Sequence, residues 1–239
     1  MPATDEALVA AAAANNAAWC HAVCRTHGLV PVAAADAWTS AARTPPLYPD
    51  AVTLQREVSI PDLLARIDAS AGCSIKDSFA SLDLESHGFS VLFDAEWIAR
   101  PPRSGSPGGD AKTGWSVIED SVAFAEWERA WRGEVGLADV LRPALLAEES
   151  VHVLAERDDH DWVVAGAVLN RSSGVVGISN FFVADRADTS ASWASCVGIA
   201  VALFPGSTLV GYESGAALGV ARSHGFDAGG PLRVWIRQD

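Results

Sequence analysis

Lysine is almost missing from this chain. Of its 17 basic residues only Lys76 and Lys112 are lysines, and 30 acidic residues outnumber them for a formal net charge of −13. So acidic a surface repels phosphate backbones and anionic headgroups, which excludes nucleic acid and anionic membranes as expected partners. A small anionic ligand stays open, because backbone N–H groups can hold phosphates locally against the overall field. Cysteine is also scarce: Cys20, Cys24, Cys73 and Cys196 form no disulfide framework, so a reducing compartment is expected. No uninterrupted apolar run reaches about 18 residues, so no membrane span is expected. The opening Met-Pro-Ala-Thr-Asp-Glu lacks the basic start and apolar core of a secretory signal. A cytoplasmic bacterial protein is the expectation.

What is present is a globular composition. Hydrophobic residues make up 49% of 239 positions, and nine tryptophans supply large core anchors. The clearest break is Arg100-Pro-Pro-Arg-Ser-Gly-Ser-Pro-Gly-Gly-Asp-Ala-Lys-Thr-Gly114, where proline, glycine and serine remove all periodicity. It divides the chain into an N-terminal half (1–100), a linker (101–114) and a C-terminal domain (115–239).

In the first half the spacing predicts a helix over 5–27, a short strand over 30–35 and a strand over 52–58. A helix over 61–69, a strand or turn over 74–79, a short helix over 82–87 and a strand over 89–98 follow. Three prolines in Pro45-Pro46-Leu47-Tyr48-Pro49 make a loop, on which Trp38, Arg43 and Tyr48 either cover a ligand pocket or pack across the domain junction. In the second half strands are expected over 116–119, 151–156, 162–170, 175–183, 208–212 and 232–237. Helices are expected over 121–132, 140–146, 190–203 and 216–224. Ser86-His-Gly-Phe89 recurs as Ser223-His-Gly-Phe226, each time after a short helix and before a strand carrying Trp-Ile, which points to duplication.

The order of elements in the second half, with Leu209-Val-Gly-Tyr-Glu213, the helix leading to His224-Gly225-Phe226 and the final Gly230-Pro-Leu-Arg-Val-Trp-Ile236, resembles the GNAT superfamily of acyl-CoA-dependent N-acyltransferases. The resemblance covers about residues 115–239, and the first half looks like a degenerate partner half. It implies an α+β fold: a mixed, mostly antiparallel sheet flanked by helices, here pseudo-duplicated. It also implies acetyl-CoA or another acyl-CoA as co-substrate and a small-molecule amine as acceptor; a homodimer is left open. In the family a loop reading Arg or Gln, two residues, Gly, one residue, Gly or Ala holds the pyrophosphate. Here it corresponds to Arg186-Ala-Asp-Thr-Ser-Ala191, with Thr189 in the glycine place and Asp185 and Asp188 adding negative charge. By this resemblance Arg186, Thr189, Ser190 and Ala191 line the pyrophosphate and Val183 the pantetheine arm. Many members use a tyrosine four residues before the Gly-Phe as acid; that position is Ala221.

The residues themselves offer two candidates for the chemistry. Glu213 ends a strand and is a base or amine-orienting group, or else a cap for the next helix. Asn180 lies on the strand expected to face the thioester and is a substrate contact, or packs inward. His224 is matched by His87 and reads as structural. Cys20, Cys24 and His27 share a helix but lack a fourth ligand, so buried thiols are expected rather than zinc, and no metal site is assigned. The competing reading for the whole chain is a non-catalytic ligand- or protein-binding module with a degenerate CoA site.

Overall fold

The computed structural model describes residues 3–102, 114–133, 139–184 and 187–238. Apart from its ends, the linker expected over 101–114 lies outside the described residues. Helix α1 (Ala3–Thr26) is followed by strands β1 (Val32–Ala33), β2 (Ala37–Thr39) and β3 (Ala51–Thr53), then α2 (Ile60–Leu64) and β4 (Ser74–Asp77). A 3-10 turn over Glu85–His87 leads into β5 (Phe89–Arg100), which closes the first half. The second half runs β6 (Trp115–Val117), α3 (Ser121–Arg132), β7 (Val151–Arg157), β8 (Val163–Ser172) and β9 (Val175–Val183), with a 3-10 turn over Pro143–Ala147 before β7. Then come α4 (Thr189–Leu203), β10 (Thr208–Glu213), α5 (Gly215–Ser223) and β11 (Asp227–Arg237).

The strands form one sheet in the order β1-β2-β3-β4-β11-β5-β10-β9-β8-β7-β6. The last strand of each half is exchanged. β11 pairs with β4 of the first half, and β5 pairs with β10 of the second, while β5 and β11 pair antiparallel with each other along most of their length. The arrangement repeats outward from that central pair: β3 is parallel to β4 and β9 is parallel to β10, and the remaining pairings are antiparallel. The α+β class and the mostly antiparallel mixed sheet are therefore as the sequence leads one to expect. The recurrence of Ser-His-Gly-Phe marks the two exchanged strands, since each motif ends where β5 or β11 begins.

Alternation along the strands assigns the helices to faces. Val153, Ala155 and Val168 pack with Phe124 and Trp127 of α3 and with Val23 of α1, whereas Leu154, Ala167 and Leu169 pack with Trp193 and Cys196 of α4. One face thus carries α1 and α3. The other carries α4 and α5, and also α2, through Leu63 against Ile75 and Trp235. Trp127 is wholly buried and donates Nε1–H to the Leu154 carbonyl at 2.8 Å. Truncating such a ring costs roughly 3–5 kcal/mol.

Helix α1 is alanine-rich and apolar nearly all round, which is the pattern of a helix buried on several sides. By length and hydropathy Glu6–Thr26 is apolar enough to cross a bilayer. Here it is mostly buried against the sheet, with Val9, Ala13, Trp19 and Val23 in the core. Its buried Asn15 is pinned to β8: Asn15 Nδ2 donates to the Asn170 carbonyl and Asn170 Nδ2 donates back to the Asn15 carbonyl, both at 3.0 Å.

The structure shortens or moves several expected elements. The strand expected over 52–58 stops at Thr53, with one last bond from the Leu54 N–H to the Asp36 carbonyl before the chain leaves β2. The helix expected over 61–69 ends as α2 at Leu64. Trp38 lies on β2, which the sequence did not signal, and not on the proline-rich loop; it is buried and donates to His21 Nδ1 at 3.3 Å. The loop itself is pinned by Asp50. Its buried carboxylate accepts from the Thr44 N–H, the Arg43 guanidinium and the Ser74 N–H, at 2.9, 2.9 and 3.0 Å.

Candidate functional site

The parallel strands β9 and β10 pair only over their first three positions, ending at Val210↔Gly177. Beyond that point neither strand has the other as a ladder partner, and a gap opens between Ile178–Val183 and Gly211–Glu213. Two local features start it. Gly177 has no space for a side chain, because a Cβ there would overlap the amide oxygens of Asn15 and Asn170. Two residues later β9 bulges against β8: the register jumps from Gly166↔Phe182 to Val168↔Ser179, and Asn180 takes φ +53°. Asparagine is among the few residues that tolerate this left-handed conformation. The bulge loosens β9 from β8 beside the gap.

A cavity of about 280 Å³ occupies the gap. Leu209 packs toward α4 and Val210 toward α1, so alternation directs Tyr212 to the α1 side and Glu213 to the other. Both line the one cavity, along with Ile178 and Asn180, so it passes through the sheet and does not merely sit on it. α1 contributes Asn16, Trp19 and Cys20 to the wall, and the proline-rich loop contributes Tyr48.

Asn180 Oδ1 accepts from Trp19 Nε1 at 3.1 Å and from the Tyr48 hydroxyl at 3.4 Å. These contacts fix the amide's orientation and leave its N–H₂ as the group to meet a ligand. Tyr48 is buried, and burial holds its phenol well above the usual tyrosine range, so it keeps its proton. Glu213 has no ion-pair partner among the described residues. Desolvation alone raises its pKa from 4.5 to about 7.

Lys76, on β4, reaches the same cavity from the first half. It is 4% exposed, donates to Asn16 Oδ1 at 2.9 Å and lies 4.1 Å above the Tyr212 ring. A second cavity of about 470 Å³ lies beside the first on the α1 side, beneath the proline-rich loop. The two share Leu47, Tyr48, Pro49, Lys76 and Tyr212 as their common wall.

The residues expected at the cofactor lie at the far end of β9. Val183 ends that strand, and Thr189, Ser190 and Ala191 form the first turn of α4. Arg186 and Asp185 lie outside the described residues. The N–H groups that would greet an anion at this helix start are already engaged: Asp188 Oδ1 accepts from Ser190 N at 2.9 Å and from Ala191 N at 3.2 Å. Ser190 Oγ also lies 2.9 Å from His224 Nε2, which ties the start of α4 to the end of α5. The helix start, filled by a carboxylate of its own, offers a diphosphate little. Ala221 is buried in the α4–α5 core and brings no proton donor.

Asn180 and Glu213 are thus brought to one cavity, while Val183 and the α4 turn stand apart from it. The proline-rich loop supplies Tyr48 to the cavity wall. Sequence reasoning missed Trp19 and Lys76; the one available signal was a lysine retained in a chain that otherwise prefers arginine. Cys20 and Cys24 are buried thiols whose pKa values desolvation pushes to about 11 and about 12, and His27 Nε2 lies 2.9 Å from the Val140 carbonyl. No cluster of three or more metal-ligating side chains occurs among the described residues.

No protein-family model matches this sequence, and no curated protein does. Solved structures do match. A GCN5-related N-acetyltransferase from Kribbella flavida superposes with a TM-score of 0.61 at 15% identity, over 91% of this chain and 94% of that one. A GNAT-family protein from Novosphingobium aromaticivorans gives 0.56 at 13% identity, over 92% and 96%. A GCN5-related N-acetyltransferase-like protein from Streptococcus suis gives 0.52 at 12%, over 87% and 82%. At these identities the likeness is one of fold, and it extends over both halves of the chain: this protein has the fold of the GCN5-related N-acetyltransferases.

Proposed function

We propose that this protein transfers an acyl group from a CoA thioester to the amine of a small molecule, at the gap between β9 and β10. The observation that carries this reading is Glu213. It is a carboxylate with a pKa of about 7, lining a cavity that passes through the sheet where the two strands part. An amine acceptor is an ammonium ion in neutral water and must lose a proton before it attacks. A base of pKa near the working pH accepts that proton and can release it again.

The thioester supplies an activated acyl carbon. The amine nitrogen bonds to that carbon, the carbon–sulfur bond breaks, and the departing sulfur takes a proton. Glu213 receives the ammonium proton. The Asn180 amide N–H₂ donates to the acyl oxygen as negative charge grows on it, an effect worth about 3 kcal/mol for a well-placed donor. The acylated nitrogen still sheds a second proton, and Tyr48, which holds its own, can take it while passing its hydroxyl proton to the departing sulfur, so the tyrosine ends unchanged. Val183 and the unpaired backbone of β9 and β10 would hold the pantetheine arm, which points the diphosphate toward Thr189, Ser190 and Ala191, where Asp188 already occupies the N–H groups and leaves them little to give it.

Calorimetric titration with acetyl-CoA, with CoA as control, tests this reading. Micromolar binding is expected. A second reading, a binding module whose acyl-donor site is lost, is favoured by the Asp188 carboxylate on the start of α4 and by Ala221 in the place of the family's acid. Folded protein that binds neither ligand would decide for it.

A further inference from the structure

We propose that the acceptor is an α-amino acid with a large apolar side chain, its carboxylate held by Lys76. This rests on the acyl-transfer reading and names the substrate class for the same site.

The ammonium of Lys76 is the starting point. It is buried at the junction of the two cavities, and no carboxylate among the described residues pairs with it. Of its three N–H donors one is given to Asn16 Oδ1, and the Tyr212 ring covers another side. An ammonium taken out of water without a counter-charge is costly, and a ring face offsets only part of that cost. A ligand anion would supply the missing charge. Arg43, the other cation at the second cavity, is already engaged by Asp50 and by the Ser70 and Ala71 carbonyls, which leaves Lys76 to receive the anion.

The surroundings define the rest of the ligand. On one side of Lys76 the first cavity leads to Glu213 and Asn180, where the amine is deprotonated and acylated. On the other side the second cavity is walled by Leu47, Leu92, Phe93, Val234 and Ile236, and its volume of about 470 Å³ suits a small-molecule site. The two cavities meet at Lys76 and Tyr212, so a ligand whose carboxylate is held there sends its amine into the first cavity and its apolar group into the second. The Cα of an amino acid has that arrangement. The acidic exterior does not oppose it, because a zwitterion carries no net charge.

The test compares L-leucine and L-phenylalanine with isoamylamine and phenethylamine, which lack the carboxylate, as acetyl acceptors and as ligands in calorimetry. The amino acids are expected to be preferred by about 30-fold or more in kcat/KM, the effect of leaving a buried charge unpaired. Lys76→Met is expected to erase that preference while isoamylamine turnover stays measurable. Should Lys76→Met fail to fold, the matched ligands on the unaltered protein decide the matter alone. Equal acylation of leucine and isoamylamine overturns the proposal and leaves acyl transfer standing. Lys76-dependent binding of leucine with no acylation of any amine supports the amino-acid site and overturns the acyl-transfer reading. Absence of both binding and turnover of the two amino acids overturns the proposal.

Discussion

Replacing Glu213 by glutamine tests the site through stability as well as through rate. The carboxyl has a pKa of about 7 in the folded protein against an ordinary 4.5, because burial disfavours its charged form. The folded state therefore holds this proton more tightly than the unfolded state. Its contribution to stability is fully present below the unfolded pKa and is lost as pH rises through the folded one. The ceiling on that loss is about 3 kcal/mol, and solvent entering through the open cavity brings it nearer about 2 kcal/mol. Glutamine has nearly the same shape and does not titrate. Urea unfolding of both proteins at steps between about pH 4.5 and pH 8 gives the stability difference, in which every other titrating group cancels. Glu213→Gln should gain on the native protein by about 2 to 3 kcal/mol across that span. Its kcat/KM should fall by about 10² to 10⁴ and should lack the rise through pH 7 predicted for the native protein. A stability difference that stays flat with pH would refute the assignment of a desolvated carboxylate here, and with it the base.

Other consequences are open to direct measurement. Asp188→Asn keeps the cap on α4 but removes the charge. Acetyl-CoA should bind about fivefold more tightly by calorimetry, and unchanged affinity would mean that the diphosphate does not approach this helix. Gly177→Ala forces a methyl group into Asn15 and Asn170. Denaturant titration should register a loss of about 1–3 kcal/mol, and a neutral result would show that α1 can shift away from β9. Tyr48→Phe should lower kcat about 100-fold without changing acetyl-CoA affinity; full activity would remove Tyr48 as proton source.

Much of the fold was legible because periodicity carried it. Ser121–Arg132 and Val175–Val183 are bounded as the pattern predicts, and β5 starts at the phenylalanine of its Ser-His-Gly-Phe, whereas β11 starts at Asp227, five residues before the strand expected over 232–237, because Gly230 and Pro231 hide its first part from the pattern. Short elements were less so. Ala37–Thr39 is too brief to show alternation, and its place is set by its pairing with β3. Glu213 and Asn180 could be named from strand position and the family resemblance. What makes them a site could not. The pKa of Glu213 comes from burial, the direction of Asn180 from a bulge held by Trp19 and Tyr48, and Lys76 is delivered by the exchange of β11 into the first half. These are contacts between residues more than 100 positions apart, and nothing local announces them.

The most direct test of the central claim is thiol release from acetyl-CoA by the purified protein with L-leucine as acceptor, followed in parallel with formation of the acetylated product. Leucine-dependent thiol release matched by product, faster at pH 8 than at pH 6 and lost in Glu213→Gln, is the predicted result. Folded protein that binds acetyl-CoA yet releases no thiol with leucine or with any amine tried would contradict it.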